Sequence, residues 1–263
     1  MKSIKNILVP FNLESAAIWG LEYALDFSDR DSDIKIHLLY VGDTENKEKI
    51  LEDILESIES LMLKHPAFRG KINILIKAGD VVDTIIATRN ELQSDLIVIG
   101  TAGIHQGQKD HTITSDLVLK SDCPVIVIPS KYDEFVVKKI ALVLDTKLIE
   151  DAEVLGTLLD FARRFNAEVY VLTIYKSETE VHDIPDEDKI EQILEYYLDK
   201  FYVTHAFIEN DDLEEGIFDY VEENEIDVLA ILPRIHAKKL KPSKGELTKL
   251  LTLKTRIPLL AID

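Results

Sequence analysis

Gly100 and Gly103 stand three residues apart in DLIVIGTAG, directly after the apolar run Leu96 to Ile99 and ahead of a second apolar run, Val125 to Ile128. Each run reads as a strand buried on both faces. A Gly-Thr-Ala-Gly turn placed where such a strand hands over to a helix presents bare backbone N–H groups in a concavity that suits a phosphate or another anion. The same glycines also suit the tight turn that any parallel sheet needs, so the pair alone leaves both readings open. His105 and His111 follow in the loop with no carboxylate or cysteine at ligand spacing, which makes them hydrogen-bonding residues rather than metal ligands. Gly107 is a further turn residue or a further place for close backbone approach. The single cysteine, Cys123, precedes Pro124 at the mouth of a strand, a packing position and not that of a nucleophile. No base, nucleophile or carboxylate pair is recognisable, so the expectation is no catalytic residue, no metal and no enzyme activity.

The elements that position this stretch alternate strictly. A strand over Asn6 to Phe11 leads through Asn12 to Ser15 into a helix with Ala17, Leu21, Ala24 and Leu25 on one face. A strand over Ile34 to Val41 precedes a long amphipathic helix with Leu51, Ile54, Leu55, Ile58 and Leu61 on its apolar face. A third strand, Ile72 to Ile76, runs through Gly79-Asp80 into a short helix that turns Val82, Ile85 and Ile86 inward. Five strands alternating with four helices predict an α/β doubly wound parallel sheet. In strand order 3-2-1-4-5 the order reverses between strands 1 and 4, so Pro10 to Asn12 and Gly100 to Gly103 should face each other across one crevice.

The second half repeats the first. Ile4-Lys5-Asn6-Ile7 matches Val137-Lys138-Lys139-Ile140 at an offset of 133, Asp95 matches Asp227 at 132, and Thr114, Leu117, Leu119, Lys120 and Pro124 match Thr248, Leu251, Leu253, Lys254 and Pro258 at 134. The faces of Leu155, Leu158, Leu159 and Ala162, and of Ile190, Ile193, Leu194, Tyr197 and Phe201, fall where the first half puts its helices. The expectation is two tandem five-stranded sheets, in domains 1–131 and 136–263.

Composition narrows the partners. With 46% apolar and 30% charged residues, the 263-residue chain reads as globular, and no apolar run approaches the roughly 20 residues that span a bilayer. A formal net charge of −19 argues against nucleic acid and against anionic membrane as partners, and a cytoplasmic location is expected. Between Pro233 and Arg256 eight cations stand against the single Glu246, a run that reads first as a solvated loop and helix face, with an anion-binding patch as the alternative.

Together ILVPFNLES, the second strand ending LLYV, and the pair DLIVIGTAG with CPVIVIP make the chain resemble the universal stress protein family in its tandem two-domain form. That resemblance implies the adenine nucleotide alpha hydrolase-like fold, and ATP binding in some branches through Gly-x2-Gly-x9-Gly-[Ser/Thr]. Carried over, it implies a site of Pro10, Phe11, Asn12, Val41, Ile99, Gly100 and Gly103, closed by His111-Thr112 or by Thr114 according to how the loop is counted. The third glycine is missing on either count, and Asn12 replaces the family's aspartate, keeping hydrogen bonds but no charge toward a metal. In the second half Leu232-Pro233-Arg234-Ile235 replaces the glycine turn, and Pro233 removes an N–H donor. Asp145 keeps the opening aspartate there, and Gly245 the third glycine with Glu246 beside it.

The implied function is a non-catalytic binding protein that senses ATP or another adenine nucleotide in the first domain only. A stress-response adaptor that has lost nucleotide and acts on a protein partner is the alternative, and a slow ATPase ranks last. The resemblance further implies an intrachain pseudo-dimer, or a homodimer, made through the last strands, Val125 to Ile128 and Leu259 to Ile262.

Overall fold

The structure is a computed structural model that describes residues 4–29, 31–103, 112–130, 134–144, 154–176, 187–233 and 246–262. It divides into two compact units, one holding Lys2–Phe135 and Thr252–Arg256, the other Val136–Leu251 and Ile257–Asp263. In the first unit β1 (Asn6–Pro10), α1 (Ser15–Phe27), β2 (Lys35–Val41), α2 (Lys47–Lys64), β3 (Lys71–Lys77), α3 (Val81–Leu92), β4 (Leu96–Thr101), α4 (Ile113–Lys120) and β5 (Val125–Pro129) alternate. All neighbouring strands are parallel, and their order is β3-β2-β1-β4-β5. This is the order expected from alternation, with the reversal between β1 and β4.

The second unit repeats that order as β8-β7-β6-β9-β10, again all parallel. Its elements are β6 (Lys139–Leu144), α5 (Leu155–Phe165), β7 (Glu168–Tyr175), α6 (Glu187–Leu198), β8 (Tyr202–Glu209), α7 (Leu213–Glu223), β9 (Val228–Ile231), α8 (Glu246–Lys254) and β10 (Leu259–Ala261). No helix among the described residues is long and apolar enough to cross a membrane.

The matched aspartates have one structural reason. Asp95 Oδ2 accepts hydrogen bonds from the Lys5 and Asn6 N–H groups, both at 3.0 Å, while its own N–H donates to the Asn6 carbonyl at 2.8 Å. Asp227 Oδ2 accepts from the Lys138 and Lys139 N–H groups at 2.7 and 2.8 Å, and its N–H donates to the Lys139 carbonyl at 3.0 Å. One carboxylate therefore fixes the register of each sheet's first and fourth strands where they begin, through bonds strengthened by its charge.

Burial follows much of each helical face read from sequence, although Ile86, Ile193 and Tyr197 are only half-buried. Leu155, Leu158, Leu159 and Ala162 are buried on α5, and Ile190 and Leu194 on α6, where Leu198 completes the inward face. On α2, however, only Ile54 and Leu61 are buried, whereas Leu51 and Leu55 are 39% and 45% exposed. The helical period there spans a wider face than the sheet covers.

Candidate functional site

Strand pairing opens the crevice. β1 pairs with β4 only at Ile7 with Leu96 and Leu8 with Ile97, although β1 continues to Pro10 and β4 to Thr101. The outer flanks remain zipped, Pro10 against Leu39 and Thr101 against Pro129. Two parallel strands thus part company over their last turn, and Pro10 has no N–H with which to extend the ladder. In the second unit β6 stays paired with β9 up to Val143 with Ile231, the last residue of β9.

A cavity of about 870 Å³ lies at the parted ends. Pro10, Phe11 and Asn12 line it from the end of β1, Val41 from the end of β2, and Ile99 and Gly100 from β4. Gly103 follows β4, and Thr112 and Thr114 border the cavity at the start of α4. His111, like His105 and Gly107, lies outside the described residues, as do Asp145, Arg234, Ile235 and Gly245 of the second half. Sequence reasoning missed the apolar floor supplied by Leu39, Val81 and Ile85, and Glu14 at the rim. The inward period of α3 is the signal that could have found Ile85.

The glycine turn is shorter than the sequence indicated, because Gly100 and Thr101 still belong to β4. A Cβ on Gly100 would lie 1.6 Å from the Ala16 carbonyl oxygen, and one on Gly20 would lie 2.9 Å from Gly100 N. Close approach of α1 to β4 therefore demands glycine at both positions, whatever the cavity holds. Gly103 differs: its φ of +74° is a left-handed conformation, and its N–H donates to Thr101 Oγ1 at 3.2 Å.

Polar groups at the rim are partly spent on the fold itself. Asn12 Oδ1 accepts from Glu14 N–H at 3.3 Å and shapes the turn into α1. Thr112 caps α4: its Oγ1 accepts from Ser115 N–H at 3.2 Å, and its own N–H donates to Ser115 Oγ at 3.0 Å. The Thr112 hydroxyl keeps its proton to donate. Ile113 and Thr114 are the first two residues of α4, so their N–H groups lack intrahelical partners and give that border of the cavity a positive partial charge. The arrangement can hold a flat apolar group over Leu39, Val41 and Ile85 with an anion toward α4.

Among the described residues no three His, Cys, Asp or Glu side chains gather where they could hold a metal. Cys123 is buried, and burial pushes its thiol pKa up.

Residues 3–129 match the model of the universal stress protein family. These residues place a universal stress protein domain in the first half of the chain. Its whole length also resembles solved structures. A universal stress protein from Archaeoglobus fulgidus is 16% identical with a TM-score of 0.70, over 98% of this chain and 96% of that one. A functionally unknown protein from Pseudomonas aeruginosa is 16% identical with a TM-score of 0.61, over 98% and 92%. The cytoplasmic domain of a prokaryotic cation chloride cotransporter is 10% identical with a TM-score of 0.55, over 98% and 95%. At these identities the likeness shows the fold alone. No curated protein matches the chain.

Proposed function

We propose that this universal stress protein is a non-catalytic sensor that binds ATP or another adenine nucleotide weakly in the first-domain crevice, and that the second-domain crevice binds none. The supporting observation is convergence: nine of the ten positions carried over from the family resemblance line one cavity, where β1 and β4 separate. About 870 Å³ suits a nucleotide-sized ligand. Weak binding is expected because Asn12 brings no charge toward a metal and its oxygen already serves the turn into α1. In the second unit the matching strands stay zipped, and a buried proline, Pro233, takes the place of Thr101.

Titration calorimetry of the full chain with ATP and magnesium tests this, beside Gly103→Val, which places a branched side chain at a left-handed position bordering the cavity. Millimolar-range binding that the variant loses is the expected result. Undetectable binding at millimolar nucleotide, or equal binding by the variant, transfers the function to an adaptor acting on protein partners.

The same reading takes 1–131 and 136–263 as the two domains and joins them as a pseudo-dimer through β5 and β10, because a short apolar strand at a sheet's end invites pairing. Faster amide exchange on β5 and β10 than on β4 and β9 would contradict it.

A further inference from the structure

The outer face of α2 gathers exposed leucines and glutamates on one helix. Leu51, Leu55 and Leu63 are 39%, 45% and 84% exposed and fall on one row of the helix, spaced by multiples of four. Glu48, Glu52 and Glu56 form the adjacent row at the same spacing, and Glu59 continues the leucine row. These glutamates, Leu51 and Leu55 border a shallow trough of about 410 Å³. Of the helix's own cations, Lys64 is turned to Glu22 of α1, with Nζ 3.1 Å from Oε1, and Lys47 and Lys49 make no ion pair with the glutamate row among the described residues.

Apart from Glu48, which answers the N-terminus of α2 from its first turn, neither row has a reason within the fold. Ile54 and Leu61 already dock α2, so the exposed leucines add no core. Carboxylates at i, i+4 repel each other and destabilise a helix when no cation answers them, and none of the four glutamates makes an ion pair among the described residues.

We propose that this face of α2 docks a basic, amphipathic helical segment of a partner protein. Apolar anchors on that segment cover Leu51, Leu55 and Leu63, and its lysines or arginines meet Glu48, Glu52, Glu56 and Glu59. Charge excludes the other occupants. A second copy docking through the same patch sets glutamate against glutamate, and an anionic bilayer is repelled. The surface is independent of the crevice, so it stands whether or not nucleotide binds there.

The probe is a fluorescent synthetic peptide of leucine, lysine and alanine, as long as α2, with leucines at helical spacing flanked by lysines, titrated with the full chain by anisotropy. Binding should weaken about tenfold or more in the variant Glu48→Gln, Glu52→Gln, Glu56→Gln, Glu59→Gln, and similarly in Leu51→Ser, Leu55→Ser. An equal neutralisation at exposed glutamates elsewhere, Glu195→Gln, Glu209→Gln, Glu222→Gln, Glu223→Gln, should leave it unchanged. The α2 glutamine variant should melt within a few degrees of the parent, because relief of repulsion offsets the loss of Glu48 at the helix N-terminus. Equal weakening by the distant neutralisation reduces the effect to net charge and overturns the proposal. So does full binding by the leucine variant, or a homodimer in sedimentation that the leucine variant abolishes.

Discussion

Replacing Asp95 with alanine removes one oxygen that answers two main-chain donors, the N–H groups of Lys5 and Asn6, each 3.0 Å away. A hydrogen bond to an ionised acceptor contributes about 1.5–3 kcal/mol. Lys5 is exposed, and water takes over its N–H when the carboxylate goes, so most of the loss comes from the part-buried Asn6 bond. The expected destabilisation is about 2 kcal/mol, or roughly 5–10 °C in the melting of the first unit. Because both bonds end on the same oxygen, Asp95→Asn keeps an acceptor and should recover roughly half of the loss. Asp227→Ala, with shorter bonds of 2.7 and 2.8 Å, should cost the second unit at least as much. Denaturant titration of the full chain, followed by calorimetry, reads all three variants. Alanine variants that both stay within about 0.5 kcal/mol of the parent, or an asparagine variant no better than alanine, would show that these carboxylates do not hold the strands.

Gly100→Ala should destabilise far more than Gly103→Ala, since its Cβ meets the Ala16 carbonyl at 1.6 Å whereas Gly103 asks only for a left-handed φ; about 3 kcal/mol or more against about 1–2 kcal/mol is expected in chemical denaturation. Comparable losses would show that α1 yields freely. His205 packs on the Phe207 ring with its Nδ1 buried and without a partner, and burial lowers its pKa to about 4. Between about pH 6.5 and 4 the unfolded chain then binds a proton that the folded chain refuses, so stability should fall as pH falls through that window. An NMR titration of His205 with a midpoint near its ordinary value would overturn this, as would a His205→Leu variant with the same pH dependence as the parent.

Much of the molecule was legible because alternation, strand length and internal repetition are properties of the chain's own pattern. Asp95 and Asp227 could be matched as letters before either was known to hold a strand by its backbone. What pattern does not carry is the distance between elements. Gly20 and Gly100 are ordinary letters until α1 is seen lying on β4, and Pro10 in NILVP marks a weak ladder without saying that β1 parts from β4 as early as Leu8. The apolar period of α2 is visible in sequence, but which of its leucines the sheet covers depends on how wide a face the sheet offers. That Thr112 spends its hydroxyl oxygen on capping α4, and has only the proton left for a ligand, depends on its bond to Ser115.

The parting of β1 from β4 also bears on how such a crevice changes over generations. The polar groups that the unfinished ladder leaves to be satisfied belong to the main chain, and almost any substitution leaves main-chain groups in place. Recognition written there is tolerant of drift, and few replacements erase it. Proline is the residue that can, because it deletes the donor itself. A buried proline is what the second copy carries at 233, the position equivalent to Thr101 of the first.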